Sequence, residues 1–281
     1  MNSNQIRPLF ICGCMRTGTT ILQRIICSSE DLGNMKGECL WITYQLNTFQ
    51  TLSSQFQSKL GDYFRDEQEY ENYTKKSIDE FILRDSIDNG TNRPVYKNPE
   101  LTFHISTLAK WFAKSDIVVS IRDPRDTICS FIEVGEKHKK NNILSRLSKI
   151  GRDINSLCDH YFLYYNKFFK NFKYFQKRCL IIKYEDIVNK KKEVINYLSK
   201  SLSINLDFAF DDIEKSKIKN SLSYQKNLRE SFSSAFWSDE YLEEINTKKI
   251  GVFTKKLSKE EIRLIEKKFV DFNKVFKYWE I

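Results

Sequence analysis

A chain of 281 residues, 41% apolar and 30% charged, can bury roughly three quarters of its unfolded surface, so no metal or disulfide staple is needed. Its net charge of +9 suits an anionic ligand, while most of the lysines read as a solvated surface rather than a nucleic-acid track. No apolar run nears the ~18 residues of a bilayer span and the N-terminus lacks a signal pattern, so a soluble cytoplasmic protein is expected.

In chain order, the first element is a short apolar run, PLFICG (8–13), and a helical pattern follows from Thr19 to about residue 28. Residues 52–93 are polar, dotted with aromatics and helical in composition, and read as an insertion before the second apolar run, PVYK (94–97). A helix over 102–114 leads to DIVVSIR (116–122), and the basic stretch 135–152 comes next. Residues 155–176 carry aromatics at helical spacing (Tyr161, Tyr164, Tyr165, Phe168, Phe169, Phe172), a stripe that reads as core packing. The fourth run is CLIIKY (179–184). All four runs lack polar alternation, as strands covered on both faces do. Near the end, Ser258 and Glu261 form a capping box ahead of an apolar face of Ile262, Ile265 and Phe269.

Strands alternating with helices imply an α/β fold, with a central parallel sheet flanked by helices in three layers. One domain over 1–281 is expected, with 52–93 and 135–152 near the carboxyl ends of the strands, where parallel sheets place ligands. The seven cysteines are odd in number, several sit in strand-like runs, and none forms a C-x-x-C pair. Buried free thiols are expected, and no metal site.

The chemistry begins after the first strand, at Gly13-Cys-Met-Arg-Thr-Gly18-Thr-Thr. The two glycines have the spacing that lets a backbone curl its N–H groups around an anion at a helix N-terminus. An ATP-binding loop would carry lysine after the second glycine, where this chain has Thr19. The cation sits earlier, at Arg16, which can fork two donors onto phosphate oxygens, and Thr17, Thr19 and Thr20 add hydroxyls. The loop therefore suits a terminal phosphate or sulfate, with no requirement for Mg²⁺. At the end of the third strand, Arg122 and Ser130 could both reach a further phosphate, and Pro124 fits the first turn of the helix between them.

With these two segments in view, the chain resembles the PAPS-dependent sulfotransferases, of the P-loop type. MRTGTT (15–20) is similar to the family's loop for the 5′-phosphosulfate, and RDPRDTICS (122–130) to its segment for the 3′-phosphate. KYEDIV (183–188) resembles a strand end whose tyrosine, here Tyr184, lies beside the nucleotide. IGVFTKKLSKEEI (250–262) resembles the closing segment that wraps the donor, making Lys255 the nearer nucleotide contact, with Lys248 and Lys249 as substitutes. The resemblance runs from residue 8 to about 270.

It implies transfer of a sulfuryl group from PAPS as co-substrate to a hydroxyl or amine of a carbohydrate, lipid or small molecule. Such a transfer needs a base for the acceptor and a cation for charge developing on the leaving phosphate. The His-base cytosolic branch is not matched, because Tyr96-Lys97-Asn98-Pro99 has Pro99 where that branch has its histidine. The Glu-base branches place a glutamate shortly after the first helix, often in Gly-Glu; here that is Gly37-Glu38. The resemblance thus implies Glu38 as base, with Lys97 and Arg16 on the leaving group. His104, His138 and His160 receive no role. Val134 stands where the tyrosylprotein branch has an arginine, which argues against a tyrosylprotein acceptor. Two other readings compete: a P-loop nucleotide kinase or NTPase, which Thr19 opposes, and a non-catalytic module that binds anionic glycans through its lysines. The sequence leaves acceptor identity and oligomeric state open.

Overall fold

Residues alternate between two cores along the first strand, β1 (Leu9–Gly13). Leu9 and Ile11 join one buried cluster, Phe10 and Cys12 the other. A strand covered on both faces must lie between two helical layers, and the computed structural model, which describes residues 5–206 and 247–280, has that arrangement. The described strands are β1, β2 (Val95–Lys97), β3 (Asp116–Ile121) and β4 (Leu180–Lys183), all parallel in the order β2-β1-β3-β4. Register pairs Ile11 with Lys97, Gly13 with Ser120 and Ile121 with Lys183, so the strands deliver their carboxyl ends to one edge. The α/β fold expected from the strand pattern is the observed one.

Helix α1 (Thr19–Cys27) follows β1 and buries Leu22, Ile25 and Ile26 in the Leu9 core. Helices α2 (Leu40–Ser53), α3 (Phe56–Lys59) and α4 (Glu67–Asp88) precede β2. The buried positions of α4 fall every fourth residue (Tyr70, Thr74, Ile78, Ile82, Ser86), and Ile78 and Ile82 enter the Phe10 core. The stretch 52–93 thus contributes part of the main core. After β2 the chain makes a 3-10 helix, Pro99–His104, capped by the Asn98 side chain, before α5 (Ile105–Trp111). The 102–114 pattern is therefore helical in two geometries, with the X-Pro step fixing where the turn begins.

Helix α6 (Pro124–Lys140) follows β3, and α7 (Arg146–Ile150) follows a short turn. The basic stretch 135–152 is thus mostly helical. The aromatic stripe lies on α8 (Ile154–Lys170) and α9 (Phe172–Arg178), which separate at Asn171. Tyr184, expected as a strand end, instead opens α10 (Tyr184–Asn189); Glu185 and Asp186 in its first turn favour the helix dipole there. Helix α11 (Lys191–Leu202) completes the Leu9 side, and α12 (Phe253–Lys256), α13 (Lys259–Lys268) and α14 (Val270–Phe276) return to the other face. The Ser258–Glu261 capping box forms as the sequence predicts. Residues 207–246 of the expected domain lie outside the described residues. Among the described residues all seven cysteines are free, six of them buried, and no helix is long and apolar enough to cross a membrane.

Candidate active site

The turn from β1 to α1 holds Gly13, Arg16 and Gly18 at positive φ (136°, 68° and 88°). A Cβ on Gly13 would lie 2.6 Å from the Ser120 carbonyl oxygen, which is backbone and cannot yield. Gly13→Ala should destabilise the protein by about 2–4 kcal/mol, from strain and overpacking together, as read by urea denaturation. Gly18 lets the loop close over Tyr184, whose ring carbon Cδ2 would sit 2.6 Å from an added Cβ.

Buried polar groups hold the loop from behind. The Gly13 N–H donates to Thr102 Oγ1 (2.6 Å) and the Cys14 N–H to the Tyr165 hydroxyl (2.8 Å), which donates in turn to the Ser120 carbonyl (2.6 Å). The Thr17 hydroxyl, expected to face the ligand, donates to the Cys14 carbonyl at 2.6 Å and is fully buried. It shapes the turn, and the hydroxyls of Thr19 and Thr20 remain at the start of α1. That helix begins on Gly18 with no side-chain cap and no acidic residue in its first turn. First-turn N–H groups have no intrahelical acceptors, so this end of the helix offers donors and a positive dipole to an anion.

The two sequence segments meet here. Arg16 Nε donates to Ser130 Oγ at 2.9 Å. Arg122 donates to the Arg16 carbonyl (3.0 Å) and to the Lys249 carbonyl, and its guanidinium lies 4.5 Å from the Tyr184 ring centroid. Its Nε is buried without a hydrogen-bond partner. The rest of the 122–130 segment anchors the closing segment: Asp126 accepts from the N–H groups of Gly251 (2.7 Å) and Phe253 (3.1 Å). Arg125 pairs with Asp123 and Glu266 and lies over the Phe253 and Trp279 rings. Lys255 is exposed on α12.

At the end of β2, the Lys97 ammonium donates to Glu38 Oε1 at 3.1 Å. The pair is asymmetric, with the Lys97 side chain 2% exposed and that of Glu38 47%. Backbone fixes it as well, since the Cys39 N–H donates to the Lys97 carbonyl at 2.8 Å. Two residues 59 apart in sequence thus present a buried cation and an accessible carboxylate beside the loop.

Tyr161, Tyr165, Thr102, Ser120 and Asp126 received no site role from the sequence. The stripe did carry a signal: it is tyrosine at 161, 164 and 165 and phenylalanine from 168 onward. A buried tyrosine hydroxyl needs a partner, and Tyr161 and Tyr165 find theirs at the Arg122 carbonyl (3.0 Å) and the loop.

His104 Nε2 donates to Asn47 Oδ1 (2.7 Å), and His138 Nδ1 shares a hydrogen bond with Ser145 Oγ (2.7 Å). Burial lowers the imidazoles of His104 and His160 to about 4, with Lys167 and Arg146 respectively adding to it. Folded, both rings are neutral where unfolded ones take protons, below about 6.5. Their stability contribution is present above pH 6.5 and lost as pH falls toward 4, on the order of 3 kcal/mol for His104. Glu185, raised to about 6 by burial, acts oppositely between pH 4.5 and 6, favouring the fold when protonated. Urea titrations at pH 7 and pH 5 should show net loss at pH 5, smaller in His104→Gln.

A family model described as Sulfotransferase family matches residues 8–208. No curated protein matches the chain. Among solved structures, the fold is similar to sulfotransferase STF9 from Mycobacterium avium (10% identity, 96% of this chain and 76% of that one, TM-score 0.52). It is similar also to the sulfotransferase domain of the Synechococcus PCC 7002 olefin synthase (14%, 98% and 96%, TM-score 0.51). A third is mouse sulfotransferase SULT7A1, solved with PAP (14%, 97% and 84%, TM-score 0.51).

Proposed function

The chain belongs to the sulfotransferase family, and from that premise we propose that it transfers a sulfuryl group from PAPS to a hydroxyl or amine of a carbohydrate, lipid or small-molecule acceptor. The observation that carries this reading is the Lys97–Glu38 pair at the carboxyl end of β2, one strand from the Gly13–Gly18 loop. An acid–base group and a buried cation beside an uncapped helix N-terminus are what in-line transfer between an acceptor and an anionic leaving group requires.

The donor set fits a bisphosphate nucleotide. Arg16, the α1 first-turn amides of Gly18, Thr19 and Thr20, and the Thr19 and Thr20 hydroxyls face one anion; Thr17 supports them from within the turn. Arg122, with its unpartnered Nε, and Ser130 face a second. Tyr184 lies beneath the loop at Gly18, and Lys255 offers a further cation from the closing segment. PAPS, when bound, supplies the sulfuryl group and a phosphate leaving group. Glu38 takes the proton from the acceptor hydroxyl or amine. Lys97, whose side chain is 2% exposed, and Arg16, with the loop amides, hold the charge that grows on the leaving oxygen, and burial makes the Lys97 ammonium count for more. The acceptor approaches from the side of α2, α6 and α7.

Labelled sulfate transfer from PAPS to a panel of sugars, lipid alcohols and phenols tests the proposal. Label should reach at least one acceptor class without added Mg²⁺. Mg²⁺-dependent ATP hydrolysis with no sulfate transfer would count for a nucleotide kinase or NTPase instead.

A further inference from the structure

Helix α2 carries no charged side chain in its 14 residues, although 30% of the chain is charged, and its outer face is apolar. Leu40 (47%), Trp41 (38%) and Tyr44 (58%) are exposed there. With 3.6 residues per turn, the three fall within an arc of about 100°, opposite the buried Ile42, Thr43 and Leu46. Single exposed apolar residues are ordinary, whereas three gathered on one face mark a binding surface.

This face starts at the Lys97–Glu38 pair. Leu40 lies two residues after Glu38, and its N–H donates to the Glu38 carbonyl at 2.9 Å. The Cys39 N–H between them donates to the Lys97 carbonyl at 2.8 Å. Asn47, about 20° round the helix from Leu40, accepts from His104 through Oδ1 (2.7 Å). The Leu40–Tyr44 edge therefore borders the 3-10 helix that follows Lys97. On the opposite edge, Trp41 stacks on Phe81 of α4, with centroids 4.5 Å apart and planes 16° from parallel. The stack holds one face of the indole and leaves the other to solvent. An acceptor whose hydroxyl reaches Glu38 and which extends past it along α2 lies on this surface.

The chemistry of the face selects the occupant. The C–H side of a pyranose is flat and apolar and packs on an aromatic ring, while its hydroxyls need uncharged donors and acceptors at the rim. Gln45, Thr48 and the Tyr44 hydroxyl supply them. An alkyl chain needs a concave pocket that covers most of its surface, which an open helix face does not give. An anionic sugar needs a free cation, and Lys36, two residues before Glu38, is held by Asp85. We propose that Trp41 and Tyr44 form a subsite for a neutral sugar ring beside the reacting one, so that the acceptor is an uncharged oligosaccharide or glycoside; this rests on the reading of Glu38 as the base. Leu40 and Tyr44 stand about 6 Å apart along the helix axis, a span that one ring covers.

Binding and transfer are read separately. Cellobiose, lactose and N,N′-diacetylchitobiose are titrated into the purified protein by ligand-observed NMR, each against the methyl glycoside of its non-reducing sugar. At least one disaccharide should bind about 10-fold tighter than its methyl glycoside. That advantage should fall to about twofold or less in Trp41→Ala and in Tyr44→Ala, and persist in part in Trp41→Phe, which keeps a ring on Phe81. It should be unchanged in Tyr63→Ala, which removes an exposed aromatic between α3 and α4. Labelled sulfate transfer from PAPS should show the same ratio in kcat/KM, with turnover of the methyl glycoside held in the variants. Absence of binding by all three disaccharides overturns the proposal, as does an advantage that survives both alanine variants. Tighter binding of octan-1-ol, or of cellobiouronic acid, than of cellobiose overturns it too, in favour of a lipid or an anionic acceptor. Trp41-dependent disaccharide binding without any sulfate transfer would strike the sulfuryl-transfer reading alone and leave the subsite standing.

Discussion

Glu38→Gln should lower kcat by roughly 10²–10⁴-fold, the usual contribution of a positioned general base, while 3′,5′-ADP affinity stays within about twofold. The amide keeps an oxygen acceptor for the Lys97 ammonium, so the 3.1 Å contact can persist and the fold should be almost unaffected. Glu38→Ala is a different experiment. It leaves the buried Lys97 ammonium without its carboxylate, and because Glu38 is itself 47% exposed the cost is that of one unsatisfied buried donor, about 1–3 kcal/mol. Turnover by labelled sulfate transfer, with thermal denaturation in parallel, separates the chemical effect from the structural one. Equal activity in wild type and Glu38→Gln would remove Glu38 from the chemistry.

The second large effect is expected at Lys97→Met. Methionine approximates the length of the lysine stem in a site that is 2% exposed, so packing is retained and only the ammonium is lost. Glu38, 47% exposed, is then stabilised by water, and stability should change by less than about 1.5 kcal/mol. Turnover should fall about 10²–10³-fold if Lys97 meets charge on the leaving oxygen, the range seen on removing a transition-state donor. The reverse transfer, from sulfated acceptor to 3′,5′-ADP, should be impaired equally, since the same phosphate oxygen is involved. A variant with unaltered kcat would leave Lys97 as a positioning partner of Glu38.

Much of this was legible in the residues because it is local. The glycine spacing, the threonine in place of a lysine and the RDPRDTICS segment each lie within one turn or one strand end, and the apolar runs locate the strands to within one residue at either end. What was not legible is long-range. Thr17 looked like a ligand donor, and only the fold shows its hydroxyl turned onto Cys14. Tyr165 reaches the loop across 151 positions of sequence, and Asp126 reaches Gly251 across 125. Such contacts depend on where helices land on the sheet, which no spacing rule encodes. Tyr184 reads as a strand end because it closes the run Leu180-Ile181-Ile182-Lys183 and is itself a good strand former, and only the two acids that follow mark the change.

In the proposed function, the loop and the 122–130 segment together hold a nucleoside 3′,5′-bisphosphate. Titration calorimetry of the purified protein with 3′,5′-ADP, 5′-AMP and ATP, each with and without Mg²⁺, tests it most directly. 3′,5′-ADP should bind at least about 10-fold tighter than 5′-AMP, a gap of ~1.4 kcal/mol, with no dependence on Mg²⁺. Preference for ATP, strengthened by Mg²⁺, would contradict it.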